Sequence, residues 1–285
     1  MGKPEEARGR ALRAPPIVVS WRTIAAVDVA LTRDVSRSIA RCELTHRDRE
    51  PIDYERAVSQ QQAYCDGLVA KGFLLLRLPA DEACPDGCFV EDTAVVLDEV
   101  AVITMPGAPS RRPELSPIEA ALRVYRPLES VRLPATLDGG DVLKVGRRLY
   151  VGLSSRTNRE GIEALRTAIT RFGYEVEGVP VSGCLHLKTA VTALDDETLL
   201  LNPLWTSGEW LGRYRLIQVA PEEPEAANVL RVKDEVWAHP AFPRTMDLLG
   251  RHGFRVATMD ISEFVKAEAG LTCKSLLFRQ IGALV

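Results

Sequence analysis

The chain has 285 residues, with 36 Lys+Arg against 39 Asp+Glu, a formal net charge of −3, 46% apolar and 26% charged residues. That balance belongs to a soluble globular protein. It leaves no electrostatic footprint for nucleic acid, no run reaches the ~18 apolar residues of a membrane span, and the start lacks a secretory or myristoylation signal. Six scattered cysteines without a paired framework predict free thiols in a reducing compartment, hence a cytoplasmic protein.

In chain order, residues 1–16 mix charge, Gly and Pro and read as a mobile tail. From 17 to 285 no Pro/Gly/Ser-rich stretch is long enough for a linker, so a single domain is expected. Residues 54–71 read as a helix capped by Asp53, with Tyr54, Val58, Tyr64, Leu68 and Val69 on one face. AVVLDEVAVIT, DVLKVGRRLYVGL, AVTALDDETLLLN and NVLRVKDEVWAHP each pair two apolar, β-branched runs across a short turn, near Asp98, Gly146, Asp195 and Lys233, and read as β-hairpins. Helices are predicted over 159–172, capped by Asn158 and stopped at Gly173, and over 243–252, opened by Pro243 and stopped at Gly253. Each leads into a strand, Tyr174–Val181 and Phe254–Met259. The strand–strand–helix–strand unit recurs at roughly 40–50 residues, the signature of a radial or stacked array. The terminal runs IVVS and CKSLLF are candidates to close it into a ring. A Rossmann fold is excluded, because Gly139-Gly140 precedes a strand and no G-x-G-x-x-G opens a helix.

Candidate chemistry is sparse enough to weigh residue by residue. Of four histidines, His252 reads as a helix C-terminal residue, His239 as a turn and His46 as part of an exposed loop. His186, in GCLHLKTAV, fits either a satisfied core histidine or a catalytic group. Cys184, two residues away, would share a strand face with it. Cys84 and Cys88 have zinc half-site spacing but no second pair, and Cys42 and Cys65 read as apolar fillers. Cys273 lies in AEAGLTCKSLLF, where Gly270 ends a helical segment and a strand begins. A thiol there is either buried and inert or open to a pocket. Asp86, Glu91 and Asp92 in CPDGCFVEDTAVV, and Asp138 and Asp141 in TLDGGDVL, stand at strand starts, where turn formation is the plain reading. In a ring those strand ends converge on the axis.

FVEDTAVV, PGAPSRR, TLDGGDVL, VGLSSRTNREG, LHLKTAV and GLTC, in this order, resemble dimethylarginine dimethylaminohydrolase, a guanidine-modifying family of the pentein superfamily, from about Leu44 to Phe278. The resemblance implies an α/β fold, a five-bladed propeller of ββαβ units. It implies Cys273 as nucleophile, His186 as general acid/base and Asp138 as the residue orienting that histidine. It places Asp86, Glu91 and Asp92 among the substrate-binding acids, Arg111 and Arg156 on the substrate carboxylate, and Leu44 and Ala267 as backbone contacts. Met105 departs from the family, whose members carry arginine there.

A guanidinium is planar and a poor electrophile, and carboxylates hold it by charge-assisted bidentate hydrogen bonds. Asp92 and Asp138 are expected to form that clamp, with Glu91 secondary, while Cys273 attacks the central carbon and His186 protonates the departing amine. The expected substrate is a methylarginine and the product citrulline, with no cofactor and no metal, in a monomer or homodimer. The alternatives are an arginine deiminase-like hydrolase and a catalytically silent methylarginine-binding relative. Acids beside a thiol oppose its ionisation, so Cys273 is expected to become strongly nucleophilic only beside a bound cation.

Overall fold

The computed structural model describes residues 26–280, so the tail at 1–16 and the IVVS strand lie outside the described residues. Fifteen short strands form five three-stranded sheets. The first unit holds β1 (Val27–Arg33), α1 (Tyr54–Ala70) and β2 (Leu74–Leu78). The second holds β3 (Ala94–Val96), β4 (Ala101–Ile103), α2 (Leu115–Leu122) and β5 (Leu128–Ser130). The third holds β6 (Val142–Val145), β7 (Arg148–Leu153), α3 (Arg159–Ile169) and β8 (Glu175–Pro180). The fourth begins with a single turn, α4 (Leu187–Ala190), then β9 (Val191–Ala193), β10 (Thr198–Leu201) and β11 (Arg215–Gln218). The fifth holds β12 (Leu230–Val232), β13 (Glu235–Ala238), α5 (Pro243–Arg251) and β14 (Arg255–Thr258), followed by α6 (Ser262–Val265) and β15 (Leu276–Gln280).

In every sheet the central strand runs antiparallel to one neighbour and parallel to the other, as a ββαβ chain path requires. The four predicted hairpins are β3–β4, β6–β7, β9–β10 and β12–β13. The fifth sheet joins the two ends of the chain: β15 pairs with β1, Leu276 opposite Leu31 and Phe278 opposite Val29. Among the described residues the closing strand on the N-terminal side is β1. Two features were not anticipated. LSPIEAAL folds as α2, and the fourth unit crosses over through a short 3-10 turn, Glu209–Arg213, in place of a helix.

The continuous apolar runs have a physical reason. Side chains alternate between the faces of a strand, and each central strand is buried on both. Leu149 and Val151 of β7 pack towards the second unit, while Tyr150 packs towards the fourth. Leu199 and Leu201 face the third unit and Leu200 the fifth. Val29 and Leu31 face the second and Ala30 the fifth. The core is thus five apolar clusters, one at each junction between neighbouring units.

Local signals behave as predicted at the caps. The Asp53 carboxylate accepts from Arg56 N at 3.1 Å and the Asn158 side chain from Gly161 N at 2.8 Å. Gly173 takes the left-handed φ of +80° that ends the helical segment. Of the predicted face of α1, Tyr64 and Leu68 are buried and Tyr54 and Val58 pack against the same core. Val69 is exposed, and Gln60 and Gln61 are buried because Gln60 bonds Ser262 at 2.8 Å and Gln61 bonds the Arg33 carbonyl at 3.0 Å.

Residues from β3, β6, β9, β12 and β15 line one cavity of ≈ 290 Å³, which identifies these strands as the inner wall of the ring. The segments entering them therefore meet at the axis: Val90–Thr93, Gly139–Asp141, α4 and Thr272–Lys274. They carry Asp92, Asp138, His186 and Cys273, one candidate from each of four units.

Candidate active site

At one end of the axis lies a narrow pocket bounded by Glu43, Asp86, Phe89, Asp92, Arg111, Arg156, Leu185, His186, Ala267, Glu268, Ala269 and Cys273. Seven of the residues singled out from sequence are on this wall. Three are not. Asp138 is fully buried behind His186, Glu91 lines the axial cavity on the far side, and Leu44 packs its side chain on the core cluster that contains Phe89 and Phe264.

Cys273 is the one cysteine of six that is not buried, and its Sγ accepts from Gly270 N at 3.3 Å. Burial, joined by the charges of Glu91 and Asp92, pushes its thiol up to about 12. His186 sits between two carboxylates. Its Nε2 is 3.1 Å from Asp138 Oδ2 and its Nδ1 is 3.8 Å from Asp92 Oδ1. Burial opposes its protonation, but Asp92, Asp138 and Asp141 outweigh that and raise it to about 9. Both shifts favour a neutral thiol and an imidazolium on the wall of one pocket at neutral pH.

The carboxylates divide by what holds them. Asp138 accepts Gly107 N at 2.9 Å on Oδ1 and presents Oδ2 to the histidine. Its expected place in a guanidinium clamp is corrected by its position: Asp138 is fully buried behind His186 and off the pocket wall on which Asp92 stands. Asp92 accepts Gly140 N at 2.8 Å and pairs with Arg111; burial disfavours its charge, yet His186 and Arg111 hold its carboxyl down to about 2. Glu91 pairs with Lys188 and accepts the Thr272 hydroxyl at 2.7 Å, tying the second, fourth and closing segments together below the pocket. Asp141 accepts Ser154 at 2.6 Å, Thr157 at 2.7 Å and Leu187 N at 2.9 Å, and burial raises it to about 6.

The structure buries both arginines, Arg111 at 3% and Arg156 at 8% exposure. Arg111 bonds Glu114 through Nε and Nη2 at 3.1 and 2.8 Å, the Phe89 carbonyl at 3.0 Å, and Asp92 through Nη1. Of its five donors one N–H on Nη1 is left. Arg156 is freer, with Thr45 Oγ1 at 3.2 Å and Asp138 Oδ2 at 3.9 Å. Asp86, raised by burial against the pull of Arg111, accepts Glu43 N at 3.1 and 3.3 Å. The pocket therefore joins a thiol, an imidazole and Asp92 to a second set of charged groups, Asp86, Arg111 and Arg156, and Arg111 bridges the two sets through Asp92.

Gly139 and Gly140 owe their place to close approach, not to a left-handed turn. A Cβ on Gly140 would stand 2.5 Å from His186 Nδ1 and 2.6 Å from Asp92 Oδ1, and one on Gly139 only 2.0 Å from the Glu91 carbonyl. Gly140→Ala is expected to cost about 1–3 kcal/mol by overpacking and to lower kcat at least about tenfold by displacing the histidine. Thermal unfolding alongside turnover checks this; wild-type kcat would mean that the imidazole position is not limiting.

Other expectations are corrected. Cys184 and His186 do not share a strand face, because neither lies in a strand: His186 caps the start of α4, and the Cys184 thiol bonds the His186 carbonyl at 3.4 Å. Gly270 does not end a helix: α6 stops at Val265, and a Cβ on Gly270 would fall 2.2 Å from Asn228 Cγ. Met105 makes an isolated bridge to Leu137 away from the pocket wall. Glu43, Phe89, Leu185, Glu268 and Ala269 were missed. Leu185 and Glu43 adjoin named residues, but nothing in the sequence marks Glu268. Among the described residues, Asp92, Asp138 and His186 are the one set whose ligand atoms lie close enough to surround a metal ion, within 4.8 Å of one another. The hydrogen bonds above already engage those atoms.

No protein-family model matches the chain. It is 41% identical over 254 residues to N(G),N(G)-dimethylarginine dimethylaminohydrolase of Streptomyces coelicolor, covering 88% of this chain and 97% of that one. It is 35% identical over 228 residues to the enzyme of that name from Pseudomonas aeruginosa, covering 79% and 90%. Among solved structures it superposes on a cysteine-to-serine variant of the P. aeruginosa enzyme complexed with citrulline, with a TM-score of 0.84 over 87% of this chain and 98% of that one at 33% identity. The N-terminal domain of the arginine dihydrolase ArgZ, at 18% identity, 88% and 97% coverage and a TM-score of 0.79, shares the fold.

Proposed function

Because the chain belongs to the dimethylarginine dimethylaminohydrolase family, we propose that it hydrolyses N-methylated arginine to citrulline and the methylamine through a covalent cysteine intermediate. The observation that carries this reading is one pocket lined both by Cys273, His186 and Asp92 and by Asp86, Arg111 and Arg156. A methylarginine offers a guanidinium to the first and an α-amino acid to the second.

Asp92 receives the guanidinium, Asp86 the α-ammonium, and Arg156 with the spare N–H of Arg111 the α-carboxylate. Backbone groups at Leu44 and Ala267 complete the amino-acid end. The thiol proton of Cys273 leaves to solvent as the substrate cation arrives. The thiolate attacks the guanidinium carbon, and His186 gives its proton to the nitrogen that departs as methylamine or dimethylamine, leaving an S-alkylthiouronium. The histidine, now neutral and held by Asp138, takes a proton from water. The hydroxide adds to the same carbon, and collapse expels the Cys273 thiolate, which takes up the hydroxyl proton, and yields citrulline. No step calls on a cofactor or metal. Residues 17–285 act as one catalytic domain, a monomer or homodimer in the cytoplasm; no described helix is long and apolar enough to cross a membrane.

Incubation with dimethylarginine, monomethylarginine and arginine, with citrulline and the released amine or ammonia quantified, tests the reading. Citrulline with dimethylamine is expected; ammonia from arginine at a comparable rate would move the protein to the deiminase-like alternative, and binding without citrulline to the silent one.

A thiol near 12 beside an imidazolium near 9 also predicts a pH profile. Alkylation of Cys273 in the substrate-free protein is slow at neutral pH and rises about tenfold per pH unit. Occupation of the pocket by an amidinium is expected to produce thiolate ultraviolet absorbance at neutral pH. A fast, pH-independent alkylation of the empty protein would remove the requirement for a bound cation.

A further inference from the structure

The loop 43–47 lies against the amino-acid end of the pocket and engages its binding groups. Glu43 N is on Asp86, and Thr45 Oγ1 is on Arg156. On its other side the loop is held by one carboxylate. Glu268 accepts the backbone N–H of Thr45 at 2.9 Å and those of His46 and Arg47 in succession, so three consecutive donors converge on a single side chain. Arg47 adds an ion pair with Glu225.

Glu268 has an unusual backbone. It follows α6 with φ +57°, where Glu268 N bonds the Val265 carbonyl and Ala269 N the Phe264 carbonyl, both at 3.1 Å. This is the helix-terminating position at which glycine is the least strained residue. A glutamate there puts a long side chain where the backbone would favour none, and that side chain bonds the loop. Glu268 also lines the pocket.

We infer that Glu268 is a positioning residue, a latch whose carboxylate holds the loop 43–47 seated over the amino-acid end of the pocket before substrate arrives. The inference rests on the methylarginine reading for its kinetic arm only. When a substrate α-ammonium and α-carboxylate take over Asp86 and Arg156, the loop gives up those two anchors, and the Glu268 contacts still keep it closed. The ordering of the loop is thereby settled before binding.

Glu268→Gly separates the latch from the fold, since glycine relieves the left-handed backbone while removing the carboxylate. The expected result is an unchanged or raised Tm, a KM for dimethylarginine raised about tenfold, kcat within threefold, and faster tryptic cleavage after Arg47 and Arg49 in the substrate-free protein, read by mass spectrometry. Glu268→Gln, which keeps one acceptor oxygen, is expected between wild type and Glu268→Gly in both readouts. Wild-type KM together with wild-type trypsin resistance in Glu268→Gly overturns the latch. Cleavage does not depend on which guanidine is turned over, so a wild-type protein that forms no citrulline would sink the functional reading while the proteolysis arm still decides this one.

Discussion

Replacing Cys273 by serine is expected to lower kcat at least about 10³-fold while leaving citrulline binding within a few-fold. A serine hydroxyl ionises far less readily than a thiol, and the site offers no base to compensate. The histidine beside it is already a cation, raised to about 9 between Asp92, Asp138 and Asp141. The contacts that would hold the amino-acid end, Asp86 and Arg156, do not touch residue 273 through any hydrogen bond. The variant should therefore bind and not turn over. Isothermal titration with citrulline and a citrulline-release assay separate the two, and a Cys273→Ser protein with near-native kcat would end the nucleophile assignment.

His186→Asn is expected to be nearly as damaging to kcat and, unlike the cysteine change, to destabilise the fold by about 3 kcal/mol, the scale for removing one partner from a buried charge network. Asn keeps hydrogen-bonding capacity but cannot carry the proton, so three buried carboxylates lose their shared cation, and Asp92 loses part of what holds it down to about 2. The pH dependence follows from the direction of the histidine shift. A group raised from 6.5 to about 9 contributes its full stabilisation below about pH 6.5 and loses it as the pH rises through 9. The stability gap between wild type and variant should therefore be widest in mild acid and close towards pH 9. Equilibrium denaturation at several pH values checks it; a pH-independent gap would show that the imidazole is neutral in the folded protein.

Both expectations depend on residues that are remote in the chain, and that decides how much of the site sequence reasoning could reach. Cys273, His186, Asp92 and Asp138 stood among the candidates because each lies in a short run beside an apolar strand, but it was the resemblance of the motifs holding them that gave them roles. Their mutual roles were less accessible. Asp138 and Asp92 look alike as acids before strands; only packing places one behind the histidine with Gly107 N and the other on the pocket wall with Arg111. Arg111 and Arg156 lie in runs with every mark of solvated loops, and burial is a property of what folds over them. Glu268 carries no local mark, because its role needs a loop more than two hundred residues away.

The sequence by itself determined the repeating unit, because a strand buried on both faces must be apolar along its whole length and a turn or cap needs its own residue within a few positions. It also determined which thiol, imidazole and acids were available. Tertiary structure alone decided the closure of β15 on β1, the crossover turn of the fourth unit, the partner of each carboxylate and the direction of each pKa shift. Those depend on distances between segments far apart in the chain and on the exclusion of water around them, and neither is written in any local pattern of residues.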